Sequence, residues 1–284
     1  MHPTLFRVGS IQVRSWGTML IVAFLAGALW MAREMKSRGR DPRLVVDFVL
    51  WMLIGSVIGA RLAHVLLDWS AYRPDPLAAF RVWEGGLSFH GGLTGAVAAA
   101  ALFARVHKTA VLELFDIATP SIPLGYAFAR VGCFLSGCCR GIPASANWPL
   151  KFRFVEDPQT PWILTVPSHP AQLYASAASL VIFAAILWLK PRVRKPGQLF
   201  LSYVVLYSFV RFFMEFIRDP STTIPIAGWP LTVAQVAGTA LAVLATIIIL
   251  LMERRPTEDE AQPDAVALER ASPGPAGRKR RVHR

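Results

Sequence analysis

Apolar runs of about 20 residues recur along this chain, and that recurrence limits its fold more than any other feature. A helix needs roughly that length to cross a ~30 Å hydrocarbon core, where only helices and closed barrels can satisfy their own backbone polar groups. Charge is correspondingly scarce, at 17% of residues against about 25% in soluble domains. Hydropathy places spans over residues 16–33, 44–67, 90–104, 111–135, 170–189, 198–217 and 229–252. The fourth is interrupted by Pro120 and Pro123, and the second carries a GxxxG pair, Gly55 and Gly59, suited to close helix contact. The expected fold is an all-α polytopic membrane protein with about seven transmembrane helices and a small extracytoplasmic head region.

Two parts are expected: an integral-membrane domain over residues 1–252 and a basic cytoplasmic tail over 253–284. The tail is rich in Pro, Ala, Glu and Arg and ends in RKRRVHR, so it cannot bury a core and is expected to be disordered. It accounts for part of the net charge of +12. Neither a basic face nor an aromatic reading platform is visible, which argues against nucleic acid as a partner. No small-residue cleavage pattern follows the first apolar run, so it is expected to stay as a span.

Loop charge sets the expected orientation. Arg33, Lys36, Arg38, Arg40, Arg43, Arg105, Lys108, Lys190, Arg192, Arg194, Lys195 and the tail crowd one side, which should be cytoplasmic. The N-terminus then lies outside and the C-terminus inside.

Arg61, Arg130 and Arg211 sit within apolar stretches. Arginine at membrane depth costs at least ~2.5–3.5 kcal/mol on insertion scales and marks a functional site by default. With the expected orientation all three fall near the outer edge, along with His90, His169, Gln172, Tyr174, Glu215, Arg218 and the cysteines Cys133, Cys138 and Cys139. Guanidinium forks match phosphate oxygens, and helix starts after His90 and His169 would add partial positive charge. An anionic lipid headgroup is the partner such an edge suggests.

Plainer readings stand beside this one. Arg61 could pair with Asp47 or Glu84, and Arg211 with Glu215 one turn away. His169-Pro170 could be a simple helix start, and His64 and His107 lack supporting context. The cysteines allow a disulfide, such as Cys133 to Cys138, a metal site without recognisable spacing, or plain packing.

Several motifs, in order, resemble those of bacterial prolipoprotein diacylglyceryl transferases. The segment from Arg81 to Gly95, RVWEGGLSFHGGLTG, is similar to the family's third-span motif. Arg130-Val131-Gly132 resembles its Arg-x-Gly-Asn signature, with Cys133 in place of Asn. His169-Pro170-Ala171-Gln172-Leu173-Tyr174 and the stretch from Arg211 through Glu215 to Arg218 resemble two further motifs. Cys138 stands where glutamate is usual and Trp16 where tyrosine is typical, and the loop from Arg140 to Ser168 is short.

The resemblance implies transfer of diacylglyceryl from phosphatidylglycerol to the lipobox cysteine of a secreted prolipoprotein. It also implies Arg130 as headgroup ligand, His90 and Arg211 as catalytic residues, and Glu215, Gly141, Asp116 and Arg61 as supporting residues. No cofactor or metal is implied. Two other functions fit the residues: binding or moving anionic lipid without transfer, and thiol redox chemistry at the cysteines.

Overall fold

The structure is a computed structural model and describes residues 4–8, 11–157, 160–218, 223–226 and 229–254. The expected tail lies outside the described residues from 255 onward. Helices are α1 (Ser15–Ser37), α2 (Leu44–Leu67), a single turn α3 (Trp69–Tyr72), α4 (Phe89–Val106), α5 (Val111–Ala118), α6 (Ser121–Ser136), α7 (Ala171–Leu189), α8 (Gln198–Met214) and α9 (Val233–Glu253). Among the described residues α1, α2, α4, α7 and α9 are long and apolar enough to cross a membrane; α8 is shorter, at 17 residues. The broken pair α5–α6 supplies one more apolar passage, giving about seven as the hydropathy predicts. Exposed Ile21, Leu25, Leu29, Ile58, Leu62, Leu66, Leu244 and Leu251 cover the outside of the bundle, as lipid-facing side chains must.

The fourth span breaks where its prolines predict. Thr119 Oγ1 donates back to Phe115 O at 2.7 Å, and Ser121 Oγ donates to Gly27 O on α1 at 2.9 Å. The second bond ties the break to α1, so the irregular backbone is packed against protein at membrane depth.

Two glycine contacts set the packing of α2 on α4. A methyl placed on Gly59 would overlap the Gly91 carbonyl, and one on Gly95 would overlap the Gly55 carbonyl. The two backbones therefore touch, as the GxxxG pair predicts. α6 lies along α1 in the same way, with Gly132 against Met19 and Trp16.

One edge of the bundle is held by charge pairs. Arg40 meets Glu113 at 2.6 Å, Arg38 meets Glu34 at 2.9 Å, and Lys190 also pairs with Glu34. The opposite edge carries three antiparallel hairpins, absent from the sequence reading: β1 (Thr4–Val8) with β2 (Ile11–Arg14), β3 (Val155–Asp157) with β4 (Thr160–Leu164), and β5 (Thr223–Ile226) with β6 (Trp229–Thr232). The last pair corrects the seventh span, whose helix begins at Val233, where Thr232 and Gln235 form a reciprocal capping box. The sixth likewise ends at Met214 rather than Ile217.

Candidate functional site

At the hairpin edge, α6, α7 and α8 enclose a narrow cleft of about 20 Å³, partly open to its surroundings. Arg130, Arg211 and Arg218 line it, with Tyr126, Tyr207, Met214, Val210 and Cys139. The α7 wall is Ala171, Ala175 and Ser179, small residues at helical spacing. The Arg130 guanidinium lies over the Tyr126 ring, 4.7 Å from its centroid, and Tyr126 meets Tyr207 edge-on at 5.9 Å. Arg211 is ion-paired to buried Glu215. Arg218 is placed by the chain turning after α8, where it bridges to Gly141.

Gly141 sits where no side chain fits. A Cβ there would stand 2.6 Å from Ile217 O and 3.0 Å from His169 Cβ. Its amide donates to His169 O at 2.9 Å, so it joins the ends of α6, α7 and α8. Among the described residues neither Arg130 nor Arg218 has a carboxylate partner. Three guanidinium groups against one carboxylate, above an apolar wall, leave surplus positive charge in a place where charge is costly. An amphiphilic anion satisfies both halves.

The other expected site residues lie elsewhere. Asp116 is on α5 at the start of α8, accepting from Gly197 N at 2.7 Å and Phe200 N at 2.9 Å. Arg211 lies about four turns, ~20 Å, further along that helix, so Asp116 caps α8 and does not share the cleft. Arg61 donates to the carbonyls of Ala78 (2.6 Å), Ala79 (2.8 Å), Gly85 (2.6 Å) and Gly86 (3.1 Å), and stacks over Tyr72 at 5.2 Å. It pins the loop that leads into α4 instead of facing the cleft. The Glu84 side chain, one of its expected partners, lies outside the described residues.

His90 is exposed on the first turn of α4 and does not line the arginine cleft. Ser88 caps that turn, accepting from Gly91 N at 3.4 Å. Of the two helix starts expected to face an anion, only that of α7 borders the cleft. His169 is held by Trp148 (5.0 Å, edge-on) and lies 3.5 Å from the Tyr174 hydroxyl, which accepts from Trp148 Nε1 at 2.8 Å. It anchors the loop after α6. His107 stacks on Phe103 at 4.0 Å, a packing role.

The sequence model of the family described as Prolipoprotein diacylglyceryl transferase matches residues 3–251. The chain belongs to the prolipoprotein diacylglyceryl transferase family. Among its relatives are phosphatidylglycerol–prolipoprotein diacylglyceryl transferases of Nitratidesulfovibrio vulgaris (36% identical, covering 83% of this chain and 88% of the relative) and Janthinobacterium sp. (32%, covering 89% and 96%). That of Geobacter sulfurreducens is 32% identical over 90% of this chain and 96% of its own length.

For a prolipoprotein diacylglyceryl transferase family member, two features of the cleft were missed from sequence. Tyr126 and Tyr207 each lie one turn before a site arginine, Tyr126 before Arg130 and Tyr207 before Arg211, a spacing that could have flagged them. The cysteines are free, so a Cys133–Cys138 disulfide is not formed, and their Sγ atoms lie within 4.8 Å of one another. The Cys133 thiol, then Cys138, Arg130 and Arg218, hold Cys139 down at about 5, while burial pushes Cys138 up.

Proposed function

We propose that this chain transfers the diacylglyceryl group of phosphatidylglycerol to the lipobox cysteine of a prolipoprotein, and that the arginine cleft holds the lipid phosphate. The observation that carries the reading is the meeting of Arg130, Arg211 and Arg218 above an apolar wall, with Glu215 the one carboxylate among them. Phosphatidylglycerol enters from the outer leaflet. Arg130 and Arg211 bind its phosphate, and the charge growing on the leaving group is stabilised where it develops. The precursor thiol loses its proton to His90, directly or through water. His90 stands on the α2–α4 pair, so the precursor is seated between that pair and the cleft. The thiolate attacks the glycerol carbon bearing the phosphate ester. A C–S bond forms, the C–O bond breaks, and glycerol phosphate leaves with the electron pair.

The N-terminus outside and the C-terminus inside put this cleft at the non-cytoplasmic leaflet. The test is transfer from labelled phosphatidylglycerol to a lipobox peptide in proteoliposomes. Arg130→Ala should lower transfer by about 10²–10³, the range for losing one transition-state donor, with the protein still inserted. Near-normal transfer would remove the role given to the cleft.

A further inference from the structure

The end of α6 gathers three thiols that the transfer reaction does not need. Gly137 is left-handed (φ 78, ψ 7). Its amide donates to Phe134 O and that of Cys138 to Cys133 O, both at 3.1 Å. These nested bonds form a Schellman turn, which brings the side chain before the turn against the one after it. Here those side chains are Cys133 and Cys138. Cys139 then takes φ 62, a left-handed conformation that costs a residue other than glycine about 1–3 kcal/mol. All three sulfurs end within 4.8 Å of one another. Gln172 on α7 donates to Cys138 O at 2.5 Å, and Gly141 is wedged under Ile217 and His169, so the turn is tied on both sides.

We infer that Cys133, Cys138 and Cys139 form a three-thiolate site for one soft cation of the zinc or copper(I) class, beside the arginine cleft. Zinc–sulfur bonds of about 2.3 Å put sulfurs on one tetrahedral ion ~3.8 Å apart. The separations present therefore need to close by about 1 Å at most, within reach of side-chain rotation. Thiolates select such ions over magnesium or calcium. Cys138 and Cys139 are exposed, which gives an entry path. Three thiolates on a divalent ion leave a net negative complex. Cys139 shares the cleft wall with Arg130 and Arg218, whose charges have no carboxylate partner among the described residues and offset it. Three protein ligands keep a fourth position open, as in sites that accept an outside ligand.

The test uses the reduced full-length chain in nanodiscs, loaded with Zn²⁺, desalted and counted by mass spectrometry. Cd²⁺ provides the thiolate-to-metal charge-transfer absorbance. One ion per chain, the charge-transfer band and loss of alkylation at all three cysteines are expected. Cys138→Ser and Cys139→Ser should each weaken binding at least ~100-fold, since even outer partners account for about 10–100-fold. Both positions are exposed, and an unchanged unfolding profile shows that the variants fold. No retained ion in the wild-type chain, equal retention when all three cysteines are serine, or a Cys133–Cys138 disulfide that persists with zinc present would overturn the site. None of these readouts depends on transferase activity, so they stand apart from the function proposed above.

Discussion

Asp116 offers a direct test of whether a residue of the family pattern acts on lipid or on the fold. Asp116 is 5% exposed, and its carboxylate accepts two backbone N–H groups at the start of α8. Removing it with Asp116→Ala strands both donors. Each buried donor left unpaired costs about 1–3 kcal/mol, and the lost anion at a helix start adds about 0.3–1 kcal/mol. The expected loss is therefore about 2–7 kcal/mol, a large part of a typical 5–15 kcal/mol stability. Asp116→Asn keeps an amide oxygen for one of the two donors, and should cost about 1–4 kcal/mol on the same reasoning. Unfolding by SDS titration in mixed micelles measures both, and binding of labelled phosphatidylglycerol to the folded fraction should match the wild type. Wild-type stability for Asp116→Ala, together with lost lipid binding, would refute the capping role.

Arg61→Ala should unlock the loop it pins, with faster hydrogen exchange over residues 73–88 and a stability loss of at least ~3 kcal/mol, since each bond from a charged donor is worth about 1.5–3 kcal/mol. Arg61→Lys should recover only part of this, because an ammonium cannot reproduce the guanidinium fork; equal exchange in both variants and the wild type would contradict it. Cys139, held at about 5, is a thiolate above that pH, so its alkylation rate should fall as pH drops through about 5 and level off above neutrality. Cys133→Ser should move that midpoint upward; a wild-type midpoint near the ~8.5 of an ordinary cysteine would count against the arrangement.

The sequence by itself determined the membrane class, the approximate spans, the break at Pro120 and the close α2–α4 contact through Gly55 and Gly59. These are local properties: a span is a sum of transfer free energies over neighbouring residues, and a GxxxG face is fixed by helical periodicity. It also brought Arg130, Arg211 and Glu215 to one edge, because alternating spans place their ends on alternating sides. Only the tertiary structure decided which helices enclose the cleft, that Arg218 and the two tyrosines join it, and that Asp116, Arg61 and His90 do not line it. Asp116 and Arg61 find backbone partners on distant segments, which no spacing encodes. The thiol cluster lies between these cases: Gly137 just before Cys138 carries a turn signal, but the convergence of three sulfurs needs the left-handed backbone at Cys139. Composition selects the solvent in which a helix is stable, whereas a site depends on how closely several helices approach, and that is set by small residues and backbone bonds far apart in the chain.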